Sequence, residues 1–416
     1  MRPSQELNVT APEYVQKFEC LGAECPDSCC AEKWSIPIDK NTYKKIHMLS
    51  NSVEHKKIKS LFKINKNGQT SALDYARPKI DDSGCALQTE TGLCSVHEKV
   101  GAHYLSHTCR LYPRLDFNTA YGIERYLSLS CPEAARLCVT QDSAWDLTSY
   151  RLTASEFGVV SSRQVTVSNY PALNKAAQKK ISLLLKKFVT DIISSDQGEF
   201  WEKLLLVGLT LKKIDGLLCQ REMNEEKLLP KAEFLLLDAK LNFCNGSFAS
   251  AVKSLLKGYD IDFMQSRFIE IISNELTASD VTNDIFRSCI FNSFDGHNLA
   301  LNNKADYTSF YVFEKSHPHV WARIFLNLVG TEDFPHYDQR LLDQWNKVVL
   351  KFAMLKLYSK GISVVKAGDF GLNDLVQVLY SFSRNIVNNA TFIPRLTEKL
   401  ASSGLQGTAP LVIMTK

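Results

Sequence analysis

The sequence predicts a mainly α protein in two parts. A cysteine-rich, metal-binding N-terminal domain of loops and short elements is expected over 1–150, then a linker over 151–171 and an all-helical domain over 172–416. Three observations carry this. Nine of the 12 cysteines fall at or before residue 138. The same stretch is punctuated by Pro26, Pro37, Pro78, Pro113 and Pro132 and by Gly84, Gly92 and Gly101, which favour turns over long regular elements. Beyond about residue 172, apolar side chains recur at the spacing of one helix face.

The length, 416 residues and 46.9 kDa, suffices for one large or two ordinary domains, and 45% hydrophobic with 23% charged residues is ordinary for a cored protein. Lys plus Arg at 49 against Asp plus Glu at 45 gives +4, too dilute for a dedicated nucleic-acid binder. None of that excess lies in residues 1–150, where 18 basic side chains face 18 acidic ones. The start lacks an apolar core of signal-peptide length. The richest apolar run, LLLVGLTL at 204–211, falls far short of the roughly 20 residues that a membrane span needs. A cytoplasmic, non-membrane chain is expected, and in that compartment clustered thiols serve metal or redox chemistry rather than a disulfide framework.

Within the first part, residues 40–66 form the exception to the turn-rich pattern. Tyr43, Ile46, Leu49 and Val53, continued by Ile58, Leu61 and Phe62, predict one helix or two. Eight lysines there against the single acid Glu54 read as a solvated helix face or a docking surface. Residues 150–170 are β-branched and polar without helical period, a linker or short strand. Helices are expected at 172–195, 200–221, 225–256, 260–276, 280–293, 318–329, 338–360 and 370–402. In the first, Ile181, Leu184, Leu185, Phe188, Ile192 and Ile193 form one stripe, with Lys179, Lys180, Lys186 and Lys187 outside it. The loop 294–308 separates helices and is long enough to line a site. The tail 402–416 is expected to pack late or fray.

The chemistry concentrates in the thiols. Cys20-x4-Cys25-x3-Cys29-Cys30 is followed, after 54 residues, by Cys85-x8-Cys94-x14-Cys109-x21-Cys131. Thiolates are soft ligands suited to zinc or iron–sulfur clusters, and each such site usually takes four, so one site or two are open. Cys25 and Cys29 share a face if their segment is helical, with Cys30 turned away. The spacing lacks the C-x2-C repetition of zinc ribbons, which favours an iron–sulfur cluster, of the four-iron type, over zinc. His97, His103 and His107 stand near the second batch as possible replacement ligands. Arg110 and Arg114 flank Tyr112-Pro113 directly after Cys109; they either brace the loop or hold an anionic cluster or ligand. Cys138, Cys219, Cys244 and Cys289 read as packing thiols.

Several of these words together resemble a family. Phe18-Glu19-Cys20-x-Gly22-x-x-Cys25-x-Asp27-x-Cys29-Cys30 with Trp34 and Ile38-Asp39, then Cys85-x8-Cys94, then Leu105-Ser106-x-Thr108-Cys109-Arg110-x-Tyr112-Pro113-Arg114, then Leu129-Ser130-Cys131-Pro132-Glu133, are similar to the flagellin lysine-N-methylase family. The resemblance covers mainly residues 14–138 and extends to the broader group of zinc- or iron-chelating cysteine-rich proteins. Pro26 and Ala31-Glu32-Lys33 depart from its pattern at turn positions, not at ligands. It implies methyl transfer from S-adenosylmethionine to lysine amines of flagellin, with Arg110, Tyr112 and Arg114 as cofactor-binding candidates and Cys20, Cys25, Cys29, Cys30, Cys85, Cys94, Cys109 and Cys131 as metal ligands. No glycine-rich strand–helix fingerprint of an ordinary adenosine-binding sheet is present, nor the C-x3-C-x2-C motif of radical enzymes that use the same cofactor. A non-enzymatic reading, a metal-stapled helical scaffold that binds a partner or carries iron or zinc, accounts for the thiols as well.

Overall fold

The computed structural model describes residues 6–31, 34–65, 72–82, 84–119, 122–140, 145–153, 169–170, 173–220, 225–276, 280, 286–287, 306–366 and 368–416. In chain order the strands are β1 (Glu6–Pro12), β2 (Phe62–Ile64), β3 (Ala76–Pro78), β4 (Ile80–Asp81), β5 (Gly84–Cys85), β6 (Arg114–Thr119), β7 (Gly122–Leu127) and β8 (Leu147–Thr153). The helices of the first part are α1 (Lys40–His47), α2 (Val53–Ser60), α3 (Ser95–Lys99), α4 (His107–Leu111) and α5 (Pro132–Thr140). Those that follow are α6 (Lys175–Ile193), α7 (Phe200–Leu218), α8 (Glu225–Cys244), α9 (Ser247–Leu256), α10 (Ile261–Glu275), α11 (Thr308–Ser316), α12 (Val320–Thr331), α13 (Leu341–Val365), α14 (Leu372–Phe382), α15 (Phe392–Ser402) and α16 (Thr408–Ile413). The fold class is mainly α, as the sequence predicts. Among the described residues, no helix is long and apolar enough to cross a membrane.

The first part is more regular than its turn residues suggest. A four-stranded sheet runs in the order β6-β7-β1-β8, with β1 parallel to β7 at Val9↔Ile123 and antiparallel to β8 from Glu6↔Thr153 to Pro12↔Leu147. Arg151–Thr153, expected in the linker, thus complete a strand. Residues 154–168, the rest of the loop to 305, most of the expected helix 280–293 and Cys289 lie outside the described residues. The periodic stretch 40–66 divides into α1 and α2. Asp39 caps α1, its carboxylate accepting from the Asn41 and Thr42 amides at 3.0 and 2.9 Å, and Ser52 caps α2. Ile46 and Ile58 from these helices join Ile38, Phe62, Ala76, Leu87 and Val96 in a small separate core. Lys44, Lys45, Lys56 and Lys57 remain exposed, whereas Lys59 donates to the Leu49 carbonyl at 2.7 Å and ties the two helices together.

The large core is helical and crosses into the first part. The α6 stripe is buried at Ile181, Leu185, Phe188, Ile192 and Ile193 as its period requires. Lys186, placed outside that stripe by the sequence, instead pairs with the buried Glu124 of β7. Helix α12 is buried on every side, around a ring contact of Phe325 with Trp345 at 5.2 Å. It packs against both α5 and β7. Gly330 permits that approach: a Cβ there would lie 2.2 Å from the Tyr126 ring. Arg323 donates to the carbonyls of Cys138 and Val139 at 2.9 and 2.8 Å, satisfying the C-terminal end of α5. Gly246, with φ +77°, separates α8 from α9 where the sequence suggests one helix over 225–256. The tail does not fray: α16 forms, and Leu411, Val412, Ile413 and Met414 are buried.

Candidate metal centre

The thiol-bearing segments converge although they come from five separate places in the chain. The segment after Phe18 makes one 3₁₀ turn over Gly22–Glu24 and then runs irregularly through Cys25, Cys29 and Cys30, so the helical option for Cys25 and Cys29 does not arise. The hairpin of β4 and β5 holds its end, the Cys85 amide donating to the Cys30 carbonyl at 2.8 Å. Gly84 is required there: its φ is +114°, and a Cβ would sit 2.6 Å from the Cys30 and Ala31 carbonyl oxygens. Gln88 extends the staple, bridging to Cys94 through backbone and reaching the Ser28 hydroxyl at 3.3 Å. Cys94 precedes α3, Cys109 sits on α4 with its amide bound to the Ser106 hydroxyl at 3.1 Å, and Cys131 directly precedes α5.

Cys29 lies at the middle of this set. It stands within electrostatic reach of Cys25, Cys85, Cys94, Cys109 and Cys131 and is hydrogen-bonded to Cys30; Cys20 joins through Cys25. Burial raises the Cys25, Cys85 and Cys94 thiols and pushes Cys131 up to about 12. Cys109 is exposed as a residue, but loss of water around its sulfur raises it in the same direction. The backbone amides of Ala134 and Glu133, at the start of α5, partly oppose this at Cys131. Cys29 goes the other way. The hydrogen bond from Cys30 favours its thiolate first, and the Arg384 guanidinium does so further against the cost of burial. The Cys30 thiol is raised correspondingly by holding the proton.

Sequence reasoning missed Arg384. It belongs to a π-turn at Ser383–Val387, at the end of α14, and its side chain is 2% exposed. Its guanidinium pairs with the Asp27 carboxylate at 2.7 Å and donates to the Asp27 carbonyl at 2.8 Å and to the Ser130 carbonyl at 2.8 Å. One side chain of the helical part therefore clamps the Cys25–Cys30 segment to the turn that carries Cys131. The π-turn itself was the only local cue, and a sequence period does not reveal it.

The donor chemistry fits a soft metal centre. Partly desolvated thiols that are costly to ionise alone become thiolates readily once a cation supplies the compensating charge; of the eight, Cys131 is buried, five are half-buried, and Cys20 and Cys109 are exposed. Among the described residues, no three Cys, His, Asp or Glu side chains are already closed around an ion position, so the chain gathers the donors without fixing which four would bind together. His97 is exposed on α3, and the His103 ring lies tilted against Tyr104 at 4.4 Å. Cys138 is buried in the large core beside Tyr14, Cys219 accepts from Arg340, and Cys244 is exposed at the end of α8. Cys219→Ser and Cys244→Ser proteins should hold as much metal as the wild type. Loss of metal from either variant, measured by elemental analysis, would refute the ligand set.

The three cofactor candidates separate. Tyr112 turns inward, its hydroxyl 3.0 Å from that of Ser130 and its ring edge-on to Trp34 at 5.3 Å, and it supports the Cys131 turn. Arg110 and Arg114 instead line a cleft of about 410 Å³ together with Arg125 and Tyr150. Arg125 and Tyr150 were not singled out in the sequence, because β7 and β8 bring them there only through sheet pairing with other strands.

Residues 186–414 match the model of the FliB lysine N-methylase C-terminal domain. Over 414 aligned residues the chain is 25% identical to a lysine-N-methylase of Salmonella typhimurium, covering 93% of each chain. It is equally similar to a lysine-N-methylase of Salmonella choleraesuis. It is 31% identical over 147 residues to the flagellar biosynthetic protein FliU of Salmonella muenchen, spanning 34% of this chain and 83% of that one. No solved structure matches the chain. With more than half of its length matched by that model, the chain belongs to the FliB lysine N-methylase family, a family of lysine methyltransferases.

Proposed function

We propose that the protein transfers methyl groups from S-adenosylmethionine to lysine side chains of flagellin, and that its thiols hold an iron–sulfur cluster of the four-iron type. The observation that supports this best is the gathering of six other thiols around Cys29, with Cys20 joined through Cys25, in a chain of the FliB lysine N-methylase family. The names of the relatives, lysine-N-methylase and flagellar biosynthetic protein, support lysine on flagellin as the acceptor. A bound cluster supplies a soft, redox-active and anionic centre. The chain's own residues complement such a centre: Arg384 offsets negative charge beside Cys29, and the first amides of α5 point at Cys131. The acceptor lysine must present a neutral amine, although its ordinary pKa near about 10.4 keeps it protonated at neutral pH, so a dry slot or a base has to take its proton. A reducing cytoplasm suits the thiols.

Protein purified without oxygen should be brown, with iron and acid-labile sulfide in near-equal amounts, because sulfide-bridged iron absorbs visible light and zinc does not. Incubated with labelled S-adenosylmethionine and flagellin, it should place label on flagellin lysines. A colourless anaerobic preparation with stoichiometric zinc and no sulfide would remove the cluster. Folded, metal-loaded protein that transfers no label would leave the scaffold reading instead.

A further inference from the structure

The four-stranded sheet carries a cleft whose lining differs in kind from the thiol centre. Side chains two apart on a strand share a face, which sets Arg114 beside Asp116 on β6 and Tyr150 beside Leu152 on β8, while Arg125 of β7 pairs across from Asp116. Between this face and the end of α4, where Arg110 and Leu111 sit, lies a space of about 410 Å³, the size of a small-molecule site. Its lining holds three arginines and, among the described residues, neither a carboxylate nor any of the thiols. The three guanidiniums are not equivalent. Arg125 is spent on a two-pronged pair with the buried Asp116 carboxylate at 2.6 and 2.9 Å. Arg114 is half-buried and meets the Phe18 carbonyl at 3.2 Å and the Phe18 ring at 4.9 Å, neither of which carries charge. Burial first, and then the Arg125 charge, lower its pKa; Tyr150, Asp116 and Cys20 offset this only in part. Among the described residues, neither Arg110 nor Arg114 has a carboxylate within ion-pair distance. Tyr150 is hydrogen-bonded to Arg125, and because a guanidinium only donates, the hydroxyl accepts there and keeps its own proton to give.

Two unspent guanidiniums and a hydroxyl donor, with no acceptor carboxylate among them, select an anion and reject any ligand that carries an ammonium or another cation. The charge count goes further. A monocarboxylate would balance one of the two cations, whereas a phosphate monoester, with its second ionisation near about 6, carries close to two negative charges at neutral pH and offers three strong acceptor oxygens. Guanidiniums match such oxygens in geometry as well as in charge. Val15, Leu111 and Leu152 add an apolar wall, which a bare inorganic ion would leave unused. We propose that this cleft binds a small organic phosphate monoester, its dianionic head between Arg110 and Arg114 and its uncharged body against Val15, Leu111 and Leu152. The assignment depends neither on the thiol centre nor on the reaction proposed above.

The test is titration calorimetry of the full-length, anaerobically prepared protein at physiological salt with three probes: phenyl phosphate, inorganic phosphate and benzoate. Phenyl phosphate should bind tighter than inorganic phosphate, which lacks the apolar body, and tighter than benzoate, which lacks the second charge, each by on the order of tenfold. Arg110→Gln and Arg114→Gln should each weaken phenyl phosphate by on the order of tenfold, and Arg114→Lys should recover part of that loss. Leu152→Ser should remove much of the advantage of phenyl phosphate over inorganic phosphate while leaving inorganic phosphate itself unchanged. Arg110 is exposed and has no ion pair among the described residues, so its variant folds even if the Arg114 variants do not. Three results would each overturn the assignment. A wild type that binds no phenyl phosphate at millimolar concentration removes the site. Equal binding of phenyl phosphate and inorganic phosphate, unchanged in the variants, means an adventitious ion only. Benzoate binding as tightly as phenyl phosphate removes the dianionic head.

Discussion

Arg384→Gln is expected to release metal from the thiol centre and to destabilise the protein by about 3–5 kcal/mol, the usual result of removing one partner from a buried ion pair. Asp27 is then left with a poorly solvated carboxylate, its side chain only 12% exposed, and the carbonyls of Asp27 and Ser130 lose their shared donor. A glutamine cannot span both loops. Arg384→Lys keeps the charge but not the planar fork that reaches three acceptors, so it should recover part of the metal content and little of the stability. Asp27→Asn combined with Arg384→Gln should be less damaging than the sum of the single changes, because the stranded charge is gone. Iron content and urea midpoints check all four proteins. Wild-type values for Arg384→Gln would sink the clamp.

Removing the metal should loosen the region between Cys25 and Leu111 while sparing the helical part. Among the described residues, that region has its own small core of seven buried apolar side chains, Ile38, Ile46, Ile58, Phe62, Ala76, Leu87 and Val96, with Cys85, Cys94 and other half-buried apolar residues packed against it. A core of that size does not hold a module by itself, and modules of this kind rely on metal or covalent staples. By contrast, α6, α7, α12 and α13 share a continuous buried core that contains Cys131 but none of the other seven thiols. Chelation should therefore raise amide exchange across α1, α2 and the β2–β3 pair and open that segment to proteases, with far-UV circular dichroism nearly unchanged. Equal protection in loaded and stripped protein would mean that the metal does not staple this module.

The sequence by itself determined the elements whose signal is local. The α6 stripe, the capped starts of α1 and α2, and the change at about residue 172 from turn residues to helical period all follow from side chains within a few positions of one another. The cysteine spacing is local for the same reason, and it is residue type and spacing that suggest the soft-metal chemistry proposed for these thiols. The tertiary structure alone decided the rest, because it depends on distant pairing. Strand β1 gains its neighbours more than a hundred residues away, at Ile123 and at Leu147–Thr153, so no local period marks it as the middle of a sheet. Lys186 looked like a solvated charge until Glu124 met it across the two parts. Arg384 lies 357 positions from Asp27, and what makes it a clamp is the π-turn that aims it and the burial that strengthens each of its contacts. A sequence states which charges and thiols a chain carries, but the free energy of each depends on what surrounds it after folding, and only packing assigns those surroundings.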